Sequence, residues 1–213
     1  MQFEKLGEVI NRAKGHEQST GQLSLHLQKV TEGLHSSVTI KNKKHSPAAL
    51  ANFVIKYIEH APKFLSVMAK ASTETSMIGL TLPIIKVSED FFLHPPEILG
   101  HEESLERLME SAYLTHRLIE EVNDRFLLET GQALVPVDMM TANLIIHNLI
   151  GEPFSNQLDD FCFELAKEVI QPSDSQGGRF LETLISDKKQ IAWTKAWLHW
   201  SELLEENHVG LRL

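Results

Sequence analysis

Two segments of the chain carry polar side chains at helical spacing on a helix face that is otherwise largely apolar. Together they contribute five such residues. In the segment HRLIEEVNDRF, residues 116–126, three of them fall on one stripe of a helix. In the segment MMTANLIIHNLI, residues 139–150, two more are four positions apart and therefore share a helix face. The candidate site consists of His116, Glu120 and Asn123 from the first segment and Asn143 and His147 from the second.

These residue types permit three kinds of site. Two imidazoles and one carboxylate are ligands of the kind that hold a single metal ion with open coordination positions. The same groups could form a general acid/base pair in a small-molecule pocket, with Glu120 orienting a histidine. The third alternative is a hydrogen-bond network that fixes the register of two helices, because a buried polar group without a partner costs about 1–3 kcal/mol. The sequence identifies no cofactor and leaves the three alternatives open.

The long helix predicted over residues 102–130 positions the first three residues. Their stripe lies between a charged side and an apolar side, so we expect it to be partly covered. Residues 131–138 form a short connection, which predicts antiparallel neighbours in which His116, Glu120 and Asn123 face the other two residues, directly or through water. The charged side, expected to face solvent, carries Glu103, Glu106, Glu110, Arg117, Glu121, Asp124 and Arg125.

Helical periodicity dominates the rest of the chain and predicts an all-α fold, a single irregular bundle of about eight or nine helices over residues 1–213. Residues 1–36 are interpreted as a helical hairpin, with Gly15 ending its first helix, that packs on the body or on a second subunit. Pro62 is expected to kink or restart a helix. The helix at 139–150 is apolar almost all round and is placed near the centre. Further helices are predicted near 154–170, 179–185 and 188–206.

Two other groups of residues admit a functional interpretation. The acidic stripe of Asp159, Asp160, Glu164 and Glu168 could bind Mg²⁺, but no basic diphosphate clamp accompanies it, so a solvated helix face is favoured. A second stripe carries three indoles on one helix face, which fits either core packing or an interface with a partner or second copy. Its members are Trp193, Trp197 and Trp200.

Charge and composition restrict the partners. Residues 1–47 carry seven Lys/Arg against four Asp/Glu, whereas residues 48–213 carry thirteen against twenty-five. An acidic body argues against nucleic acid. No apolar window is long enough for a membrane helix, no signal peptide is apparent, and Cys162 is the single cysteine, so we expect a cytoplasmic protein.

These features together favour a regulatory or protein-interaction protein that self-associates or binds another protein. The alternative is a small-molecule-binding protein or enzyme that uses the buried His/Glu/Asn cluster, with or without a metal ion.

Overall fold

The computed structural model describes residues 1–33, 47–74, 77–131, 133–136 and 139–170. Within these ranges the chain is all-α, as predicted, with no strand. The helices predicted near 179–185 and 188–206, and with them Trp193, Trp197 and Trp200, lie outside the described residues, so the count of eight or nine helices stays a prediction. The described helices are α1 (Phe3–Thr20), α2 (Gln22–Gly33), α3 (Pro47–Glu74), α4 (Ile78–Leu93), α5 (Leu105–Thr130), α6 (Met140–Ile150) and α7 (Phe154–Ile170), with a 3-10 turn at Glu97–Leu99.

Helix α5 is the centre of the fold, because it packs against all six other described helices. Its ends are set by local chemistry. The Ser104 hydroxyl accepts a hydrogen bond from the Arg107 backbone N–H, which satisfies one of the free donors of the first turn. At the other end Gly131 adopts a left-handed conformation, with φ 74°, and its N–H bonds to the Leu127 carbonyl. The predicted end of this helix at Gly131 is therefore confirmed.

Within the described residues helix α6 lies at the edge of the fold, so its predicted place near the centre is wrong there. It packs on α5 and α7, and its buried apolar side chains include Ile145, Ile146 and Leu149. Its outward side exposes Met140 at 69% and Leu144 at 60%. An apolar helix can be placed at the centre only if it has neighbours on every side, and this helix of 11 residues leaves one side uncovered by the described residues.

The N-terminal helices pack on the body of the same chain. Helix α1 contacts α3, α4 and α5, and α2 contacts α3 and α5. Helix α1 continues through Gly15 and ends at Gly21, where the backbone reaches φ 63°, so the predicted end at Gly15 is wrong. Gly15 faces solvent and costs helix stability without breaking the helix. The apolar stripe predicted to pair with a body or a second subunit is buried within the monomer and comprises Leu6, Ile10, Ala13, Leu23 and Leu27.

The two interior prolines do not divide their helices. Helix α3 runs without interruption through Pro62 and α4 runs through Pro83, so the predicted restart at Pro62 does not occur. No described helix combines the length and the apolar character needed to cross a bilayer.

Candidate functional site

The centre of the candidate site is the guanidinium of Arg117, which was predicted to face solvent. Its Nη1 contacts Glu120 Oε2, its Nη2 donates to Glu121 Oε1 at 2.8 Å, and its Nε donates to Asp159 Oδ1 at 3.0 Å. The Arg117 side chain is only 21% exposed, and those of Glu121 and Asp159 are 19% and 30% exposed. The solvent-facing positions predicted for Arg117, Glu121 and Asp159 are therefore corrected: one cation joins α5 to α7 by charge-assisted hydrogen bonds.

From Glu120 the hydrogen bonds continue into α6 and α3. The Asn143 side-chain amide donates to Glu120 Oε2 at 2.9 Å. The Tyr57 hydroxyl donates to the Asn143 carbonyl oxygen at 2.7 Å. The contact expected between α5 and α6 is thus present at Glu120 and Asn143, and it extends to a tyrosine on α3 that the sequence did not single out.

Asp159 receives two further side chains. The Tyr113 hydroxyl donates to Asp159 Oδ1 at 2.7 Å, and His147 Nε2 lies 3.4 Å from Asp159 Oδ2. The same His147 nitrogen is 3.1 Å from the side-chain oxygen of Asn156. Both neighbours of His147 Nε2 are oxygen acceptors, so this nitrogen carries the ring proton. We call these connected side chains the Arg117 network; its members are Tyr57, Tyr113, Arg117, Glu120, Glu121, Asn143, His147, Asn156 and Asp159.

The other two predicted residues lie outside this network. His116 Nε2 is 2.9 Å from His60 Nδ1 on α3, and its ring packs edge-on against Tyr57 with centroids 4.4 Å apart. Asn123 accepts a hydrogen bond at 2.9 Å from the backbone N–H of Val135 in the connection before α6. The expected meeting of His116 and Asn123 with Asn143 and His147 is therefore corrected: among the described contacts, only Glu120 and Asn143 meet.

Helix spacing contained part of the signal for the missed residues. Tyr57 and His60 are three apart on α3, and Tyr113 and Arg117 are four apart on α5, so each pair occupies one face. Spacing within one helix does not show which neighbouring helix that face meets. Arg117 and Asp159 were assigned to solvent because a helical wheel treats every charge as outward, although a charge can be buried when it is paired.

Burial changes the proton equilibria of these groups. Burial alone would lower the pKa of Arg117, but its hydrogen bond to Glu120 and the charges of Glu120 and Asp159 raise that pKa above its ordinary value. Burial raises the pKa of Tyr113, and the bond to Asp159 raises it further. Burial also raises the pKa of the Cys162 thiol, whose Sγ lies 3.4 Å from the Leu114 carbonyl oxygen. At neutral pH the guanidinium is therefore charged, and the tyrosine and the thiol are protonated.

The two buried imidazoles are neutral at pH 7. Burial, followed by the nearby Lys63 charge, lowers the pKa of His60 to about 4. Burial and the neighbouring ring of His60 hold the pKa of His116 well below its ordinary value. The Nδ1 atom of His116 is buried and has no hydrogen-bond partner among the described residues. A neutral His116 ring tolerates this buried position. A second proton on the ring would add a charge that is buried and a donor without a partner.

The chemistry open to the site follows from these partners. The described residues contain no group of three or more His, Cys, Asp or Glu side chains placed to hold a metal ion. Glu120, Asn143 and Arg117 are each engaged by protein groups from two or more helices. This arrangement favours the network alternative, in which the polar side chains fix how α3, α5, α6 and α7 pack.

We expect the substitution Arg117→Leu to lower the free energy of unfolding by about 2–4 kcal/mol, because it leaves three partly buried carboxylates without their shared cation. The matched control is Arg12→Leu, which removes an ion pair with Glu103 whose side chains are 55% and 65% exposed. That control should cost no more than about 0.5 kcal/mol. Urea denaturation measures both variants. Equal losses in the two would contradict the assigned role of Arg117.

Stability should also fall in acid because of His60 and His116. Below about pH 6.5 the unfolded histidines take up protons that the folded rings refuse, so each lowers the free energy of unfolding by up to about 1.4 kcal/mol per pH unit as pH falls toward the folded pKa. Glu110 acts in the opposite sense. Burial, followed by the charge of Glu106, raises its pKa to about 7, so its stabilisation is full below about pH 4.5 and is lost as pH rises through 7.

The variant Glu110→Gln isolates the histidine effect. Its free energy of unfolding should drop more steeply between pH 7 and pH 5 than that of the unsubstituted protein, because the opposing carboxyl is gone. The control Glu129→Gln changes an exposed carboxyl and should leave the slope unchanged. Denaturation at both pH values gives the slopes. A slope in Glu110→Gln that matches the unsubstituted protein would show that Glu110 does not titrate as a buried group.

Comparisons with known proteins do not add a function to this geometry. No family model, curated protein or solved structure matches the chain. What the protein does is therefore inferred from the contacts, burial and charges of its own residues.

Proposed function

We propose that this chain is a cytoplasmic protein-interaction protein that binds a basic, amphipathic helix of a partner protein. The proposed binding surface is the outward side of α6 and α7. Its apolar side chains are Met140 and Leu144 on α6 and Phe163 on α7, which are 69%, 60% and 45% exposed. We call this surface the α6–α7 face. The exposure of these large apolar side chains in an acidic region is the observation that carries the proposal.

The two helices of this face lie side by side. His147 on α6 contacts Asn156 and Asp159 on α7. Leu144 precedes His147 by one turn, and Phe163 follows Asp159 by one turn, so each apolar side chain is one turn from the contact that joins the helices. A helix that lay along this face could bury both side chains.

Charge selects the kind of partner. Residues 118–170 carry ten Asp/Glu against two Lys/Arg. Both basic residues lie over the ring of Phe163, with Arg125 Cζ 4.8 Å and Lys167 Nζ 4.1 Å from its centroid. Lys167 Nζ also pairs with Glu164 Oε1. The other exposed acids of this range are therefore left, among the described residues, to attract cations from a partner. They are Asp124, Glu129, Glu152, Asp160 and Glu168.

The same charge argues against pairing with a second copy through this face. A symmetric dimer would bring the acidic face against itself, which is unfavourable when no bases intervene. The N-terminal stripe that the sequence offered for self-association is already buried on the chain's own body. Self-association is therefore the competing outcome of the test.

The test uses a synthetic peptide helix with leucines along one face and lysines along the other, and a control peptide with glutamates in place of the lysines. The lysine peptide should bind, with an affinity that falls as salt is added, and the glutamate peptide should not. Leu144→Glu should weaken binding at least about tenfold, because a buried leucine contributes about 1.5–3 kcal/mol. Fluorescence anisotropy of the labelled peptide measures both.

Leu25→Glu is the matched protein control, since Leu25 is 56% exposed on α2, outside the proposed face. It should change the affinity less than about twofold. Equal losses in Leu144→Glu and Leu25→Glu, or no binding of the lysine peptide, would overturn the proposal. A dimer mass in sedimentation that Leu144→Glu abolishes would overturn it in favour of self-association.

A second candidate function uses His147 as an acid/base group for a small ligand. The observation that favours it is the pairing of His147 Nε2 with the Asp159 carboxylate at 3.4 Å, with side chains 19% and 30% exposed. A carboxylate beside an imidazole orients the ring for proton transfer. Under this candidate, a small metabolite should raise the Tm of the unsubstituted protein and not that of a folded His147→Leu variant. Equal shifts in both proteins would exclude His147 from the ligand site.

A further inference from the structure

A separate cavity of about 460 Å³ lies in the groove between α1 and α3. Its volume is in the range of small-ligand sites. Apolar side chains form much of its wall, among them Phe3, Ile10 and Val67. Neither the Arg117 network nor the α6–α7 face includes any of its lining residues. The groove is therefore separate from both, and its lining residues come from α1 and α3.

Gly7 keeps this groove open. It lies inside α1, where glycine is about 1 kcal/mol less favourable than alanine. A Cβ built at Gly7 would meet no atom within 4 Å, so close packing does not require a glycine there. Its backbone is not among those with positive φ. Because Gly7 lines the groove, the absence of a side chain there leaves part of the groove empty.

Among the described residues that line the groove, one cation is available to a ligand. Glu59 lines the groove but is already bound, with its Oε1 2.6 Å from Lys14 Nζ. Lys63 also lines it, is exposed, and has no ion-pair partner among the described residues. Asn11 and Ser66 add an amide and a hydroxyl that can donate hydrogen bonds. An anionic group at Lys63 would therefore meet a free ammonium and neutral donors.

We propose that the groove between α1 and α3 binds a small amphipathic carboxylate. The carboxylate pairs with Lys63 and accepts hydrogen bonds from Ser66 or Asn11. The hydrocarbon part lies along Phe3 and Ile10 in the space that Gly7 leaves. This site goes beyond the proposed partner-helix function, since the two use different helices and different residues.

Titration calorimetry with decanoate tests the proposal, with decanol as the uncharged probe and acetate as the probe without a tail. Decanoate should bind with one-to-one stoichiometry and more tightly than either control. Gly7→Leu should abolish binding by filling the groove, whereas Gly15→Leu, an equivalent change on the exposed side of α1, should bind decanoate as the unsubstituted protein does. Both variants gain helix propensity, so the comparison isolates the groove.

Lys63→Gln tests the charge without altering the helix. It should weaken decanoate binding at least about tenfold and leave decanol binding unchanged. The control Lys56→Gln changes an exposed lysine on the same side of α3, two turns away, and should have less than about a twofold effect. Decanoate binding that survives both Gly7→Leu and Lys63→Gln would place the ligand elsewhere and overturn the proposal. Retained binding of the lysine peptide by Gly7→Leu keeps this test separate from that of the α6–α7 face.

Discussion

The packing of this protein depends on the need of a buried central helix to satisfy its own polar side chains. Helix α5 contacts all six other described helices, so its polar residues have little water to bond to. Arg117 meets this constraint by binding Glu120 and Glu121 on its own helix and Asp159 on α7. Two of these partners are also bound from another helix: Glu120 accepts from Asn143 on α6, and Asp159 accepts from Tyr113 on α5 and lies beside His147 on α6. Removal of one member therefore leaves several groups unpaired, and this explains how a few side chains can fix the positions of four helices.

The sequence predicted where individual helices begin and end better than it predicted which helices pack against each other. Helix α7 and the end of α5 were predicted because Gly131, Gly151 and Pro153 mark local backbone changes that need no tertiary information. The contact of Glu120 with Asn143 was predictable from the short connection between their helices. The partner of His116 was not, because His60 is 56 residues away in the chain and nothing local selects it. The central position belongs to α5 for the same reason: apolar content made α6 the candidate, while the number of neighbours is a property of the whole fold.

The buried polar contacts and the exposed surfaces of this protein have different roles. The Arg117 network lies between helices and explains why α6, with its apolar outward side, can stay attached to the body while that side is exposed. Polar bonds from α6 to α5 and α7 hold in place the two helices that form the α6–α7 face. On α1 and α3 the relation is different, since a missing side chain at Gly7 and a salt bridge of Glu59 shape the groove. Helix α3 connects the two regions, because it carries residues of the groove and Tyr57 of the network.

A double-mutant cycle between Asn143→Ala on α6 and Asp159→Asn on α7 tests the central claim most directly. These two side chains are connected through Glu120 and Arg117. If the network acts as one unit, the free energies of unfolding should be non-additive by about 1 kcal/mol or more, because the first substitution already disrupts what the second would break. Losses that add to within about 0.5 kcal/mol would contradict it and reduce the network to independent contacts.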